Sequence, residues 1–220
     1  MTRDEAVLEI QNLLGFTTIL QEPIERELKF AQTRLENGPI RPWFLKEDRA
    51  FTFTTIGEQR ILLPSDFLEE DEDSALWYAP ADGTPDKEIV KEDLDFLIKN
   101  QEIFPGVDAA GVALPGVPQF YAISGQYFRL FPTPDAVYRI RMIYFKSDTP
   151  LDSNIENKWM KYAPWLVIGE AGRTVAVSAR DKAAEAKFSS IRQEAGITLN
   201  TETEARLHAN RSYVMGDGAL

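Results

Sequence analysis

The sequence predicts an α+β fold in which helices from both ends of the chain form one layer and an inserted antiparallel β-rich region forms the other. Three observations carry this expectation. Residues 1–45 and 153–197 space their apolar side chains at helical intervals, residues 46–152 alternate at strand spacing between glycine and proline turns, and polar and small residues dominate from 198 to 220. The expected organisation is a discontinuous helical core (1–45 with 153–197), a β-rich insertion (46–152) and a polar C-terminal tail (198–220).

Taken in order, Thr2 followed by Glu5 is a capping-box pattern. Ala6, Ile10, Leu13 and Leu14 then keep helical spacing until Gly15 stops the helix. Pro23 suits the first turn of a second helix, whose stripe Ile24, Leu28, Ala31 and Leu35 ends at Asn37-Gly38-Pro39. Glu25, Arg26, Glu27, Lys29, Arg34 and Glu36 fall on the other faces and are expected in solvent.

The period then shortens. Phe51–Thr55 and Arg60–Leu63 flank Ile56-Gly57-Glu58-Gln59, which predicts a hairpin. The acidic run Glu69–Asp73 lacks the alternating ligands, central glycine and distal glutamate of a calcium loop. Ala75–Ala79 predicts a strand ended by Pro80, and Glu92–Lys99 a short helix. Residues 104–118 hold three prolines and three glycines and read as an apolar loop. Gln119–Ile123 and Gln126–Phe131, on either side of Ser124-Gly125, predict a tight hairpin, and Val137–Phe145 a long third strand. Arg129, Arg139 and Arg141 gather positive charge on this three-stranded unit. They are open to pairing with the chain's own carboxylates, to plain exposure, or to contact with DNA phosphate or an acidic partner surface.

Helix returns with Asn154–Tyr162, and Pro164 opens or kinks a longer run to Ala195. Trp159, Trp165, Leu166 and Ile168 are expected in the core against the first two helices. Gly169, Gly172, Ala176, Ala179, Ala183 and Ala186 recur at alternating three- and four-residue steps, which places all six on one stripe of a single helix. A stripe without bulk lets another helix come close, either within the subunit or between identical subunits.

Composition excludes several classes of chemistry. With no cysteine there are no disulfides and no thiolate nucleophile, and the single histidine, His208, rules out a histidine-rich metal site within one chain. No run of eighteen apolar residues occurs, and Met1-Thr2-Arg3-Asp4-Glu5 lacks the basic-then-apolar order of a signal peptide, so neither a membrane span nor that export route is expected. Gly169–Thr174 lacks the spacing and the lysine of a phosphate loop. His208 has no serine in a nucleophile elbow to serve, and no carboxylate pair stands out. No enzymatic activity and no cofactor are expected. The net charge of −11 argues against broad grip on nucleic acid, because that grip comes from Lys and Arg displacing phosphate counterions. It would suit a surface along which DNA slides.

The order of parts resembles a known family. Ala31–Glu36, Trp43-Phe44, Leu62–Leu68, Phe128–Asp135, Tyr138–Tyr144 and Ile168–Gly172 follow one another as in the head-to-tail adaptors of short-tailed bacteriophages, similar to the tail tubular protein A group. The resemblance covers about residues 5 to 195. It implies a structural protein of the virion tail or neck, assembled in the host cytoplasm as a homo-oligomeric ring of twelve subunits between the portal protein and the tail nozzle protein. Double-stranded DNA would pass through its channel without sequence-specific binding, and the glycine-alanine seam would pack helices in the ring wall. The alternatives are a tail or baseplate component with no portal contact and a carbohydrate-active enzyme.

Overall fold

A computed structural model describes residues 1–15, 21–71, 75–80, 84–100, 114–152 and 154–214. In chain order its elements are α1 (Arg3–Leu14), α2 (Gln21–Glu36), a 3-10 turn (Trp43–Leu45), β1 (Lys46–Phe53), β2 (Arg60–Leu62), β3 (Phe67–Glu70), β4 (Leu76–Tyr78), β5 (Lys87–Lys91), α3 (Leu94–Lys99), β6 (Phe120–Ser124), β7 (Tyr127–Phe131), β8 (Arg139–Lys146), α4 (Lys158–Tyr162), α5 (Pro164–Ser178) and α6 (Lys182–Val214). The fold is α+β. The chain divides into a helical unit, Met1–Leu45 with Ser147–Leu220, and a sheet unit, Lys46–Lys146.

In the helical unit α1 starts with the Thr2–Glu5 capping box and ends at Gly15, whose φ of 72° is the left-handed cap. Ile24, Leu28 and Ala31 on α2 are fully buried. Residues Leu166 to Gly172 of α5 are all buried, which makes this helix the centre of the unit.

Three expectations change here. The run from Pro164 to Ala195 is two helices, broken where Arg180 takes a φ of 58°. Asp181 then starts α6 by accepting the amides of Ala183 and Ala184 at 3.1 and 3.0 Å. The break turns α6 back along α5, so that Phe188 reaches Gly172 and Arg192 reaches Gly169. Residues 198–214, expected as tail, continue α6 through Gly196, because Leu199 and Thr203 still find burial. Trp165, expected in the core, is 44% exposed while its neighbours Leu166 and Ile168 are buried.

Glu36 also departs from its expected surface position, and Gln32, one turn before it, lies beside it. Both are buried, and both serve the returning chain. Glu36 Oε1 accepts the Trp159 indole N–H at 3.1 Å, the Asp148 amide at 3.0 Å and the Gln32 amide at 2.9 Å. Asn157, the cap of α4, donates to Gln32 at 3.1 Å and to the Thr149 carbonyl at 2.8 Å. Residues 147–152 are thereby tied to the helices.

Among the described residues the sheet unit holds eight strands in the order β1-β8-β4-β5-β6-β7-β2, with β3 also on β8. All pairs among the described residues are antiparallel except β5 with β6, so the insertion is mixed where an antiparallel one was expected. Strand β8 carries β1 on one edge and β4 and β3 in succession on the other. The expected hairpin of β1 with β2 does not form. Gly57, with a φ of 77°, does turn the chain, but β1 pairs with β8 and β2 with β7, at opposite ends of the strand order. Only six residues join these two edges, which requires the sheet to curl until they approach.

The β6–β7 hairpin forms as expected, with the turn one residue later at Gly125-Gln126, where φ of Gly125 is 62°. Inside the curl lie Leu76, Ile89, Phe128, Leu130, Ile140 and their neighbours. On the outside α3 covers β6 and β7, its Leu97 packed on Ala122 and Phe131. Of the loop expected over 104–118, residues 104–113 lie outside the described residues.

Candidate functional site

The six small residues do not share one face. Gly169 and Gly172 are consumed inside the subunit. A Cβ on Gly169 would lie 2.7 Å from the Arg192 amide nitrogen, and one on Gly172 would lie 2.4 Å from the Phe188 ring. Ala176 is fully buried on the same helix. Ala179, Ala183 and Ala186, at and beyond the break, are exposed.

Close approach of α5 and α6 brings together a charged cluster that no local pattern foretells. Glu170 is buried within α5, and its carboxylate meets Arg34 of α2 at 2.8 Å, Arg192 of α6 at 2.5 Å and Arg173 at 3.9 Å. Thr174 adds a bond to Arg34 at 3.2 Å. One carboxylate thus joins three helices. Beside it opens a cleft of about 420 Å³ lined by Trp159, Leu166, Ile197, Leu199 and the 38–40 segment. Arg206, near the far end of α6, stacks on Trp43 at 3.7 Å and holds that helix against the helical unit.

The sheet unit presents a different surface. Each of the three arginines singled out in the sequence lies over an aromatic ring. Arg139 sits 3.7 Å from the Phe51 centroid, Arg141 5.5 Å from Trp77 and Arg129 5.6 Å from Phe131. Arg60, directly opposite Arg129 across the β2–β7 ladder, adds a fourth case over Tyr127 at 5.8 Å. Arg141 pairs with Asp86 at 3.4 Å, and Arg129 donates to Gln59 at 3.3 Å. Arg139 makes no ion pair among the described residues. A ring beneath a guanidinium holds it flat and leaves its N–H edge open to a partner.

Such pairing follows from register. Phe53 faces Arg139, Phe51 faces Arg141 and Trp77 faces Arg141 on the same outer side, while Ile140 and Met142 point into the core. The spacing of Arg139 and Arg141 was legible in the sequence. Their aromatic partners come from β1 and β4, far away in the chain, and only the fold supplies them.

Two buried tyrosines fasten the sheet from within. Burial, then a 2.8 Å hydrogen bond to Glu70, raises the Tyr121 hydroxyl far above its ordinary pKa. Burial and a 3.0 Å bond to Asp66 do the same to Tyr144. Tyr138, bonded to Asp135, is pushed up to about 12 by desolvation and that bond.

Among the described residues no group of three or more His, Asp or Glu side chains could hold a metal ion, and no helix is long and apolar enough to cross a membrane. What the two units offer is surface: a close-packed helix pair, a three-helix ion cluster and an arginine-aromatic face. No curated protein matches the chain. The family model described as SU10 adaptor protein matches residues 1–210, across both units.

Proposed function

Because the chain belongs to the SU10 adaptor protein family, we propose that it is a structural head-to-tail adaptor of a bacteriophage, a ring of identical subunits in the virion neck with a channel for the genome. The ring joins the portal protein to the tail nozzle protein, contains twelve copies and serves a short-tailed particle, after subunits made in the host cytoplasm gather on the portal. Its role is mechanical, without catalysis or cofactor.

The observation that carries this reading is the match over residues 1–210. The charge agrees with it. A net −11 on each copy gives a ring wall that repels the DNA backbone, so double-stranded DNA passes without being held. Exposed Ala179, Ala183 and Ala186 remain available for a neighbouring helix in the ring wall, and Arg129, Arg139 and Arg141 for an acidic partner surface. Negative-stain images of the purified protein, alone and mixed with its portal, provide the test. Rings stacked on the portal are the expected result; a protein that stays monomeric with portal present, or that hydrolyses a glycan, would remove the assignment.

A further inference from the structure

We propose, resting on the ring reading above, that the sheet units of neighbouring copies meet through two unlike patches. The exposed aromatic and cationic end of β1 and β8 on one copy receives the acidic, apolar-tipped α3 of the next.

The first patch is an edge. Among the described residues β1 pairs with β8 alone, and its outer face carries Phe51 and Phe53, 41% and 62% exposed. The turn after β1 is bonded to the segment before β8 through Thr54 and Gly57, and adds exposed Ile56 and Val137 to the same end. Arg139, stacked on Phe51, supplies positive charge with no counterion among the described residues. Exposed aromatic and arginine side chains in one cluster are the composition of an interface centre.

The second patch supplies the opposite. α3 buries Leu97 and leaves Phe96 and Ile98 exposed, 45% and 42%, beside Glu92, Asp93 and Asp95. These three carboxylates enter no ion pair among the described residues, and Lys99 offsets only one of them. The sheet unit is strongly acidic, with 18 Asp and Glu against 10 Lys and Arg. An arginine without an ion pair on an exposed aromatic end is therefore unusual on it, and the same unit carries an anionic apolar surface that such an arginine would meet.

These patches lie on different strands of a curled sheet, one at the β1 edge and one over β6 and β7. A contact that uses two different patches of identical chains is head-to-tail, and such contacts close into rings or run on as filaments. A second copy of this chain is thus the partner the charges select.

Absence of cysteine makes the test direct. Phe53→Cys and Phe96→Cys would be introduced together and singly into the full chain, and each protein oxidised at high concentration. The double variant should give a ladder beyond the dimer, at least tenfold more abundant than any product of the single variants. Adding R139E should cut the ladder at least fivefold, and D95K on that background should restore it, while unfolding curves confirm that each variant is folded. No ladder, or one that R139E leaves unchanged, overturns the pairing. Rings on the portal without a ladder sink this contact and spare the ring; a ladder without rings on the portal keeps the contact and sinks the ring.

Discussion

Gly169 lies backbone to backbone against Arg192: a Cβ there would stand 2.7 Å from the Arg192 amide nitrogen and 2.9 Å from its Cα. Main-chain atoms cannot step aside as a flexible side chain could, so the helix pair itself must part. Gly169→Ala should cost about 1–3 kcal/mol from overpacking, less up to about 1 kcal/mol regained from helix propensity. Gly196 supplies the control, because its Cβ would meet only Leu166 at 3.8 Å. Gly196→Ala should stabilise by about 0.5–1 kcal/mol. Thermal unfolding should show the two substitutions moving the midpoint in opposite directions, each by a few degrees, at about 2–4 °C per kcal/mol for a chain of this size.

Glu170 holds three helices by one carboxylate, and its weight differs among its partners. Arg34 and Arg192 touch it at 2.8 and 2.5 Å, whereas Arg173 stands at 3.9 Å. All three guanidinium groups are 40–49% exposed, so solvent screens part of the attraction. Glu170→Gln should cost about 1–2 kcal/mol, the low end for a charge network that is buried on one side only. Arg173→Ala should fall within about 0.5 kcal/mol of the parent. Denaturant midpoints at equal slope would check both, and equal effects would show that the network does not rank its members by distance.

How much of this was legible depended on whether the deciding contact is local. The capping box at Thr2 and Glu5 and the hairpin at Gly125 are short-range and were read correctly. A turn at Gly57 was also read, yet turning does not choose a partner, and β1 closes on β8 about ninety residues later. The break at Arg180 carried neither glycine nor proline. Its only local sign was Asp181, a capping residue placed ahead of Ala183 and Ala184. Helical spacing likewise put Glu36 on the outside, because periodicity reports a face and not what later packs on it.

That buried carboxylate gives a sharp test. Glu36 satisfies the indole N–H of Trp159 and the Asp148 amide. Glu36→Ala strands both donors in a buried site, at about 1–3 kcal/mol for each group left unpaired. The expected loss is about 2–4 kcal/mol, with a shift in tryptophan emission as the indole loses its acceptor. Glu36→Gln keeps an acceptor oxygen but turns an amide N–H₂ toward donors, and should land between Glu36→Ala and the parent. A loss below that of a surface substitution would mean that water takes over the carboxylate's role.

Tyr121 and Tyr144 set the alkaline limit of the sheet unit. Both hydroxyls are raised above their ordinary pKa, first by burial and then by hydrogen bonds to Glu70 and Asp66. A raised folded pKa means that the native state keeps its proton where the unfolded chain, near pH 10, releases it. Stability from these groups is therefore complete below about pH 10 and falls as pH climbs, by up to about 1.4 kcal/mol per pH unit for each tyrosine. Tyr138, raised to about 12, should stop contributing to the slope beyond that pH. Tyr144→Phe removes one linked proton and should flatten the alkaline limb by that increment while lowering stability at neutral pH, since Asp66 loses its donor. Lysines titrate in the same range, so the comparison that counts is the difference in slope between variant and parent. Identical slopes from pH 10 to 12 would show that Tyr144 ionises as readily folded as unfolded, and the bond to Asp66 would then hold nothing in place.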